Sequence, residues 1–307
     1  MSLVSNILLK RAEMLSRARS FFAGRGIFEV DTFHLSQSAP IDSHIDLLSA
    51  DLPDNSRRFL LSSPEFPMKK LLSKNSPDIY QLAHVFRSDF KSPRHIPEFM
   101  MAEWYRKKIT FSEMIEETCT FCELFTGNRE REMISYREAF LRYLDIDPFT
   151  AHDRDLLEKI PSEITCPLER DDILNLLVST LIEPKFDPKK LTCLYNYPRT
   201  QAALAQLNEE AGHPVAERFE IYTAGLELAN GYHETQSSDD LLERFIAINK
   251  QRITLKKTPY PIDQAFLDAN KNLPDCCGVA VGFDRLMMVH LKTNQIDETY
   301  PLPWHQS

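Results

Sequence analysis

No apolar run in this sequence approaches the ~20 residues that a membrane helix requires. The N-terminus reaches Lys10 and Arg11 after a short apolar stretch, which does not read as a signal peptide, so a cytoplasmic protein without membrane contact is expected. Six cysteines in 307 residues are too few for a disulfide framework. Cys119 and Cys122 form a CxxC, but they lie in a helical pattern and no second pair follows at zinc-ribbon spacing, so buried thiols are expected. Positive charge is also short. The net charge of −9 argues against a broad nucleic-acid surface, which would need clustered Lys and Arg. There is no internal repeat and no low-complexity segment.

What is present is 43% hydrophobic and 26% charged residues, the composition of a globular protein large enough for one domain with an insert. The spacing predicts an amphipathic helix over 5–23, with Ile7, Leu8, Met14, Leu15, Ala18, Phe21 and Phe22 on one stripe. A strand at Phe28–Val30 and another at Phe59–Ser62 follow. Ser63-Pro64-Glu65 then reads as a helix start, with Ser at the N-cap and Pro in the first turn.

The centre of the chain is Phe86–Arg106. Ile79–Phe86 and Glu98–Arg106 read as strands joined by the loop 88–97, which concentrates Lys91, Arg94 and His95. Alternation puts Phe99, Met101, Glu103 and Tyr105 on one face of the return strand, beneath a cationic loop. Helices are expected at 112–125 and from Ser135, and a helical insertion without site residues at about 145–190. Further on, Val215–Asn230 reads as a hairpin turning at Thr223–Ala224. That register sets Glu220 opposite Glu227, an unfavourable pair unless a hard cation lies between them. Spacing alone favours the plainer alternative, two solvated glutamates. Gly231 is expected to mark a bulge, because residues 227 and 234 differ in parity.

Four stretches together carry a family resemblance. Phe86-Arg87-Ser88-Asp89 with Arg94-His95-Ile96-Pro97-Glu98-Phe99 and Glu103-Trp104-Tyr105 resembles motif 2 of the class II aminoacyl-tRNA synthetases, in the lysyl subclass. The first helix and strand resemble motif 1, although Phe33 stands where the family pattern has proline. Gly278-Val-Ala-Val-Gly282-Phe-Asp-Arg285 resembles motif 3, and Gly225–Glu234 resembles the segment before it. The stretches SPEFPMKKLL, EWYR, GLELANGYHE and PDCCGVAVG are similar to those of the elongation factor P–lysine ligases, paralogues of lysyl-tRNA synthetase.

The resemblance implies an α+β fold, a mixed and mostly antiparallel sheet flanked by helices, over residues 1–307. It implies activation of (R)-β-lysine or lysine by ATP and Mg²⁺, then transfer to a lysine of elongation factor P, by a homodimer. With motif 1 so near Met1, no anticodon-binding domain of about 100 residues is expected, and so no anticodon recognition.

By the same resemblance Arg87 and Arg285 are catalytic. ATP falls to Arg87, Ser88, Asp89, His95, Ile96, Phe99, Glu227, Leu228, Gly282 and Arg285. The amino acid falls to Ser63, Pro64, Glu65, Glu103, Tyr105, Asn230, Tyr232, Glu234 and Ala280, and magnesium to Glu220 and Glu227. Ser88, Asp89 and Ile96 depart from the family pattern on the nucleotide side. A ligase with another acceptor, such as a tRNA fragment or a lipid, and a catalytically silent binder stay open as alternatives.

Overall fold

The structure is a computed structural model, and it describes residues 3–38, 40–88, 92–160, 168–306 of the 307. In chain order it runs α1 (Leu3–Ala23), β1 (Phe28–Glu29), β2 (Leu35–Ser36), β3 (Ser49–Asp51), β4 (Arg57–Leu60), α2 (Glu65–Leu72), β5 (Ile79–Phe86) and β6 (Glu98–Lys107). Then come α3 (Phe111–Thr126), β7 (Arg131–Ser135), α4 (Tyr136–Leu144), α5 (Asp153–Leu157), α6 (Arg170–Leu177), β8 (Leu191–Pro198), β9 (Leu207–Glu210) and β10 (His213–Thr223). The chain continues with β11 (Leu226–His233), α7 (Ser238–Thr254), α8 (Gln264–Asn270), β12 (Cys276–Gly282) and α9 (Phe283–Leu291).

The main sheet has the order β1-β5-β6-β12-β11-β10-β8-β7, with β9 paired to β10. Two of its pairs, β1–β5 and β7–β8, are parallel and the rest antiparallel. Alternation along β6 sorts its side chains as expected. Ala102 and Trp104 are buried in a core with Met14, Phe22, Phe121 and Leu286 from α1, α3 and α9, while Phe99, Met101, Glu103 and Tyr105 face a cleft on the other side. Phe22 stacks on Tyr80 at 4.1 Å. Asp284 at the start of α9 ties these helices to the sheet. It accepts from Arg11 (2.6 Å), from the Met100 N–H (2.7 Å) and from the Tyr300 hydroxyl (2.6 Å).

Between α4 and β8 the chain forms α5 and α6 and two short helical turns. Leu156, Leu174, Leu177 and Ile182 of this segment form a core with Phe140, Leu194 and Tyr222. The thiols Cys119 and Cys122 are buried and free, and burial pushes Cys119 up to about 12, so it stays an unreactive thiol. Among the described residues no helix is long and apolar enough to cross a membrane.

Several expectations need correction. Leu8 is exposed, not part of the buried stripe of α1. Helix α2 begins at Glu65 with Pro64 as its N-cap, and Ser63 accepts the Glu65 N–H (3.0 Å) from outside the helix. The hairpin turns at Ala224–Gly225, both with positive φ (52° and 72°), because the glycine tolerates the second left-handed position that Thr223 would resist. The turn therefore sits one residue later than expected. Tyr222 pairs with Glu227, Ile221 with Ala229 and Glu220 with Asn230. The bulge falls at Leu228, not Gly231. Gly231 is glycine for a packing reason: a Cβ there would lie 2.5 Å from the Phe219 ring and 2.9 Å from the Gly278 carbonyl.

Candidate active site

A cleft of about 390 Å³ lies over the middle strands of the sheet, β6, β12, β11 and β10. It brings together Ser63, Glu65, Arg87, His95, Ile96, Phe99, Glu103, Tyr105, Glu220, Glu227, Leu228, Asn230, Tyr232, Glu234, Ala280, Gly282 and Arg285. These residues come from six separate stretches of sequence. Pro64 and Ser88 do not line it. Pro64 caps α2 from behind, and Ser88 is exposed and donates its N–H to the Asp46 carbonyl (2.8 Å). Asp89 and Lys91 lie outside the described residues.

One end of the cleft is cationic. The Arg87 guanidinium sits 5.2 Å from the centre of the Phe99 ring, an arrangement that holds its plane against a flat apolar surface. Arg285, in the first turn of α9, donates to the Glu227 carbonyl (2.8 Å) and lies 3.0 Å from His95 Nε2. The loop carrying His95 is anchored at its tip, where Arg94 donates to the Gly225 carbonyl (2.9 Å) and the Ile296 N–H donates to the Pro93 carbonyl (2.8 Å). Arg94 was expected to add charge to this end. It does so by bridging the loop to the β10–β11 turn.

Beside these cations stand two carboxylates. The corrected register makes Glu220 and Glu227 diagonal neighbours on one face, since Glu220 and Tyr222 alternate and Tyr222 lies opposite Glu227. Glu220 accepts from Arg218 (2.5 Å) and from the Tyr222 hydroxyl. Loss of surrounding water and then the Glu220 charge raise the Glu227 carboxyl above its ordinary value. A third carboxylate comes from the segment between α6 and β8, where no site motif was expected. Burial, followed by the charges of Glu220 and Glu227, pushes Glu183 up to about 7. Among the described residues no three His, Cys, Asp or Glu side chains form a complete metal cage. The paired carboxylates fit a hard cation that brings further oxygen ligands with it.

The other end is acidic and closed. Glu103 is buried and accepts from Tyr105 (2.7 Å) and from Ser63 (2.7 Å). Burial, then the nearby Glu65 charge, pushes its carboxyl up to about 8. Glu234 Oε2 accepts from Lys69 (2.5 Å), which also donates to Glu65 (2.7 Å). Burial raises Glu234 to about 7 although Lys69 opposes the rise. Glu234 Oε1 and Asn230 Oδ1 are buried acceptors for which no hydrogen-bond partner is found among the described residues. Unpaired acceptors of this kind are costly, and an ammonium in the cleft would satisfy them.

Gly278 makes this end possible. A Cβ there would stand 2.2 Å from the Tyr105 ring and 2.5 Å from Glu234 Oε1. Ala280 pairs with Glu103 on one side and Asn230 on the other, so its methyl forms part of the floor between the acidic groups.

Lys69, Arg218 and Glu183 are polar residues that sequence reasoning missed at or beside this site. A signal existed for Lys69, four residues after Glu65 on one helix face. For Arg218 the signal was strand alternation, which puts it on the same face as Glu220 two residues on.

A family model described as tRNA synthetases class II (D, K and N) matches residues 2–306. The chain is 37% identical to the elongation factor P–(R)-β-lysine ligase of Proteus mirabilis, over 98% of this chain and 95% of that protein. It is 38% identical to the protein of the same name from Yersinia enterocolitica (96% and 94%) and 39% identical to that of Avibacterium paragallinarum (95% and 93%).

Proposed function

Because this chain belongs to the class II tRNA synthetases (D, K and N), in the branch of the elongation factor P–(R)-β-lysine ligases, we propose that it activates (R)-β-lysine with ATP and transfers the acyl group to a lysine ε-amine of elongation factor P. The observation that carries this reading is the polarity of one cleft, with Arg87, His95 and Arg285 at one end and buried Glu103 and Glu234 at the other. A polyphosphate suits the first end and a chain ending in an ammonium suits the second.

The substrate carboxylate attacks the α-phosphorus of ATP, the bond to the β-phosphate breaks, and pyrophosphate leaves. The attacking group is already an anion, so this step needs no general base. Arg87 compensates the negative charge that gathers between carboxylate and α-phosphate. Phe99 and Arg285 offer flat faces to the adenine, and Arg285 and His95 lie where the outer phosphates would be. Glu220 and Glu227 would hold magnesium, which when bound neutralises phosphate charge. In the second step the acceptor amine attacks the acyl carbon and AMP leaves.

The isomer preference follows from Ala280. Its methyl, between Glu103 and Asn230, crowds a substituent on the substrate's α-carbon, whereas β-lysine has a methylene there. One methyl supports discrimination of about 1–3 kcal/mol.

A homodimer is part of the same reading. Val4, Leu8 and Leu9 on α1, with Phe28 and Phe33 just after it, are exposed, and Phe33 is 89% accessible. An apolar surface of this kind in the region resembling motif 1 suits a second copy of the chain, and light scattering tests it. A translation factor as acceptor places the reaction in the cytoplasm.

The decisive experiment incubates the protein with ATP, Mg²⁺, elongation factor P and each lysine isomer, and weighs the factor by mass spectrometry. We expect a single lysyl-mass addition, strongest with (R)-β-lysine and lost in Arg87→Ala. An unmodified factor with every isomer would overturn the acceptor assignment.

A further inference from the structure

The acidic end of the cleft holds three carboxylates, Glu65, Glu103 and Glu234, and one ammonium of the protein's own. Lys69 has 2% of its side chain accessible, and its Nζ lies 2.7 Å from Glu65 and 2.5 Å from Glu234. Two carboxylates and a lysine from α2 and the end of β11 are thereby joined in one buried cluster. We propose that Lys69 is a positioning residue that sets the charge of the pocket: it neutralises one of three carboxylates and so leaves two, the number that a substrate with two ammonium groups matches. This rests on the reading that a diamino acid occupies the cleft.

Three observations support it independently of the substrate's name. First, Lys69 engages only one oxygen of Glu234, leaving Oε1 buried and available as an acceptor. Second, Lys69 reaches Glu234 from behind the cleft and does not itself line it, so it directs the carboxylate without filling the substrate's place. Third, a lysine so buried needs both partners. Burial alone would strip its proton, and the two carboxylates reverse this and hold it protonated.

The groups facing Glu234 are few enough to name. Helix α2 presents Lys69 and Glu65, and β6 presents Glu103 and Tyr105. Strand β12 presents the Cys276 thiol and β11 contributes Tyr232, while Cys277 and His233, on the opposite faces of those strands, act on Glu234 only through space. Of these, Lys69 is the strongest influence holding the Glu234 carboxylate ionised. Without it, Glu234 takes up a proton at higher pH and ceases to accept the substrate ammonium.

The test is ATP–pyrophosphate exchange with (R)-β-lysine, following the KM for the amino acid against pH in the unmodified protein and in Lys69→Met. In the unmodified protein KM should rise as pH falls through about 8 and about 7, where Glu103 and then Glu234 take up protons, both held down by Lys69. In Lys69→Met that limb should move upward by about 1–3 pH units, the size of effect an adjacent opposite charge exerts on a carboxyl. The KM for ATP should hold.

Where the single variant does not fold, Lys69→Met/Glu65→Gln removes one charge of each sign, and its limb should move the same way by less. A folded variant with an unmoved limb overturns the role given to Lys69. Absence of exchange with every lysine isomer in the unmodified protein would instead strike the proposed function.

Discussion

Arg285 Nη2 lies 3.0 Å from His95 Nε2, and Ser92 Oγ lies 2.8 Å from His95 Nδ1. Arginine can only donate, so Nε2 must accept, and the imidazole is neutral with its proton on Nδ1, donated to Ser92. The loop after β5 and the first turn of α9 therefore meet through a neutral histidine, across 190 residues of sequence. His95→Ala removes this acceptor and frees Arg285 from one side. A hydrogen bond to a charged group is worth about 1.5–3 kcal/mol, so we expect the KM for ATP to rise roughly tenfold or more while the amino-acid KM stays near its starting value. Exchange kinetics with ATP varied will decide, and an unchanged KM for ATP would mean that the contact does not act on the nucleotide.

Glu220 and Glu227 are diagonal neighbours, not a facing pair, and each already has a cationic neighbour, Arg218 and Arg285. We expect Glu227→Gln and Glu220→Gln each to raise the Mg²⁺ concentration needed for half-maximal exchange, with little effect on amino-acid binding. Magnesium titrations that superimpose on the unmodified protein would show that neither carboxylate holds the ion.

Gly278→Ala should be among the most damaging single-methyl changes in the chain. The added Cβ would overlap Tyr105 and Glu234, and neither can retreat, since both are buried. Overpacking of this kind costs about 1–3 kcal/mol. The variant should melt earlier and lose lysine activation, with ATP binding less affected. Thermal melting and exchange, measured together, check this.

Glu103 and Glu234 link pH to both stability and binding. Their folded-state values, about 8 and about 7, lie above the ordinary carboxyl value. Between that ordinary value and about 7–8 the folded state holds more protons than the unfolded one, so stability falls as pH rises through this window. Substrate ammonium groups require the ionised forms, so binding has the opposite dependence. We expect Glu103→Gln to flatten the decline in melting temperature from pH 5 to 8 and to abolish lysine activation at every pH. A melting profile that declines as steeply as before would show that Glu103 is not the group responsible.

The central hairpin was legible because strand alternation is a local rule. Once β5 and β6 are strands, Glu103 and Tyr105 must share a face with Phe99 and Met101, and the cleft finds them there. The turn from β12 into α9, which delivers Arg285, follows from an apolar run ending at Gly282, and the family resemblance rests on the same contiguous stretches. Local rules stop at the hairpin of β10 and β11. Its register depends on which two residues accept positive φ and on where one extra residue is absorbed, and the Phe219 ring packed on Gly231 takes part in that choice. Sequence spacing therefore identified Glu220 and Glu227 but misjudged how they face each other.

Lys69, Arg218 and Glu183 belong to a further level. Each carries a charge that an isolated helix or strand would give to water. Only the packing of α2 against β5, β6 and β12, and of the segment between α6 and β8 against β8 and β10, brings Lys69 and Glu183 within reach of the carboxylates of the cleft. The sequence by itself determined which elements form and which faces their side chains share, because those depend on neighbours two positions away in a strand and three or four in a helix. The charge balance of the cleft was decided by the tertiary structure, because electrostatic interactions follow distance in space and the exclusion of water, neither of which exists until the sheet has closed.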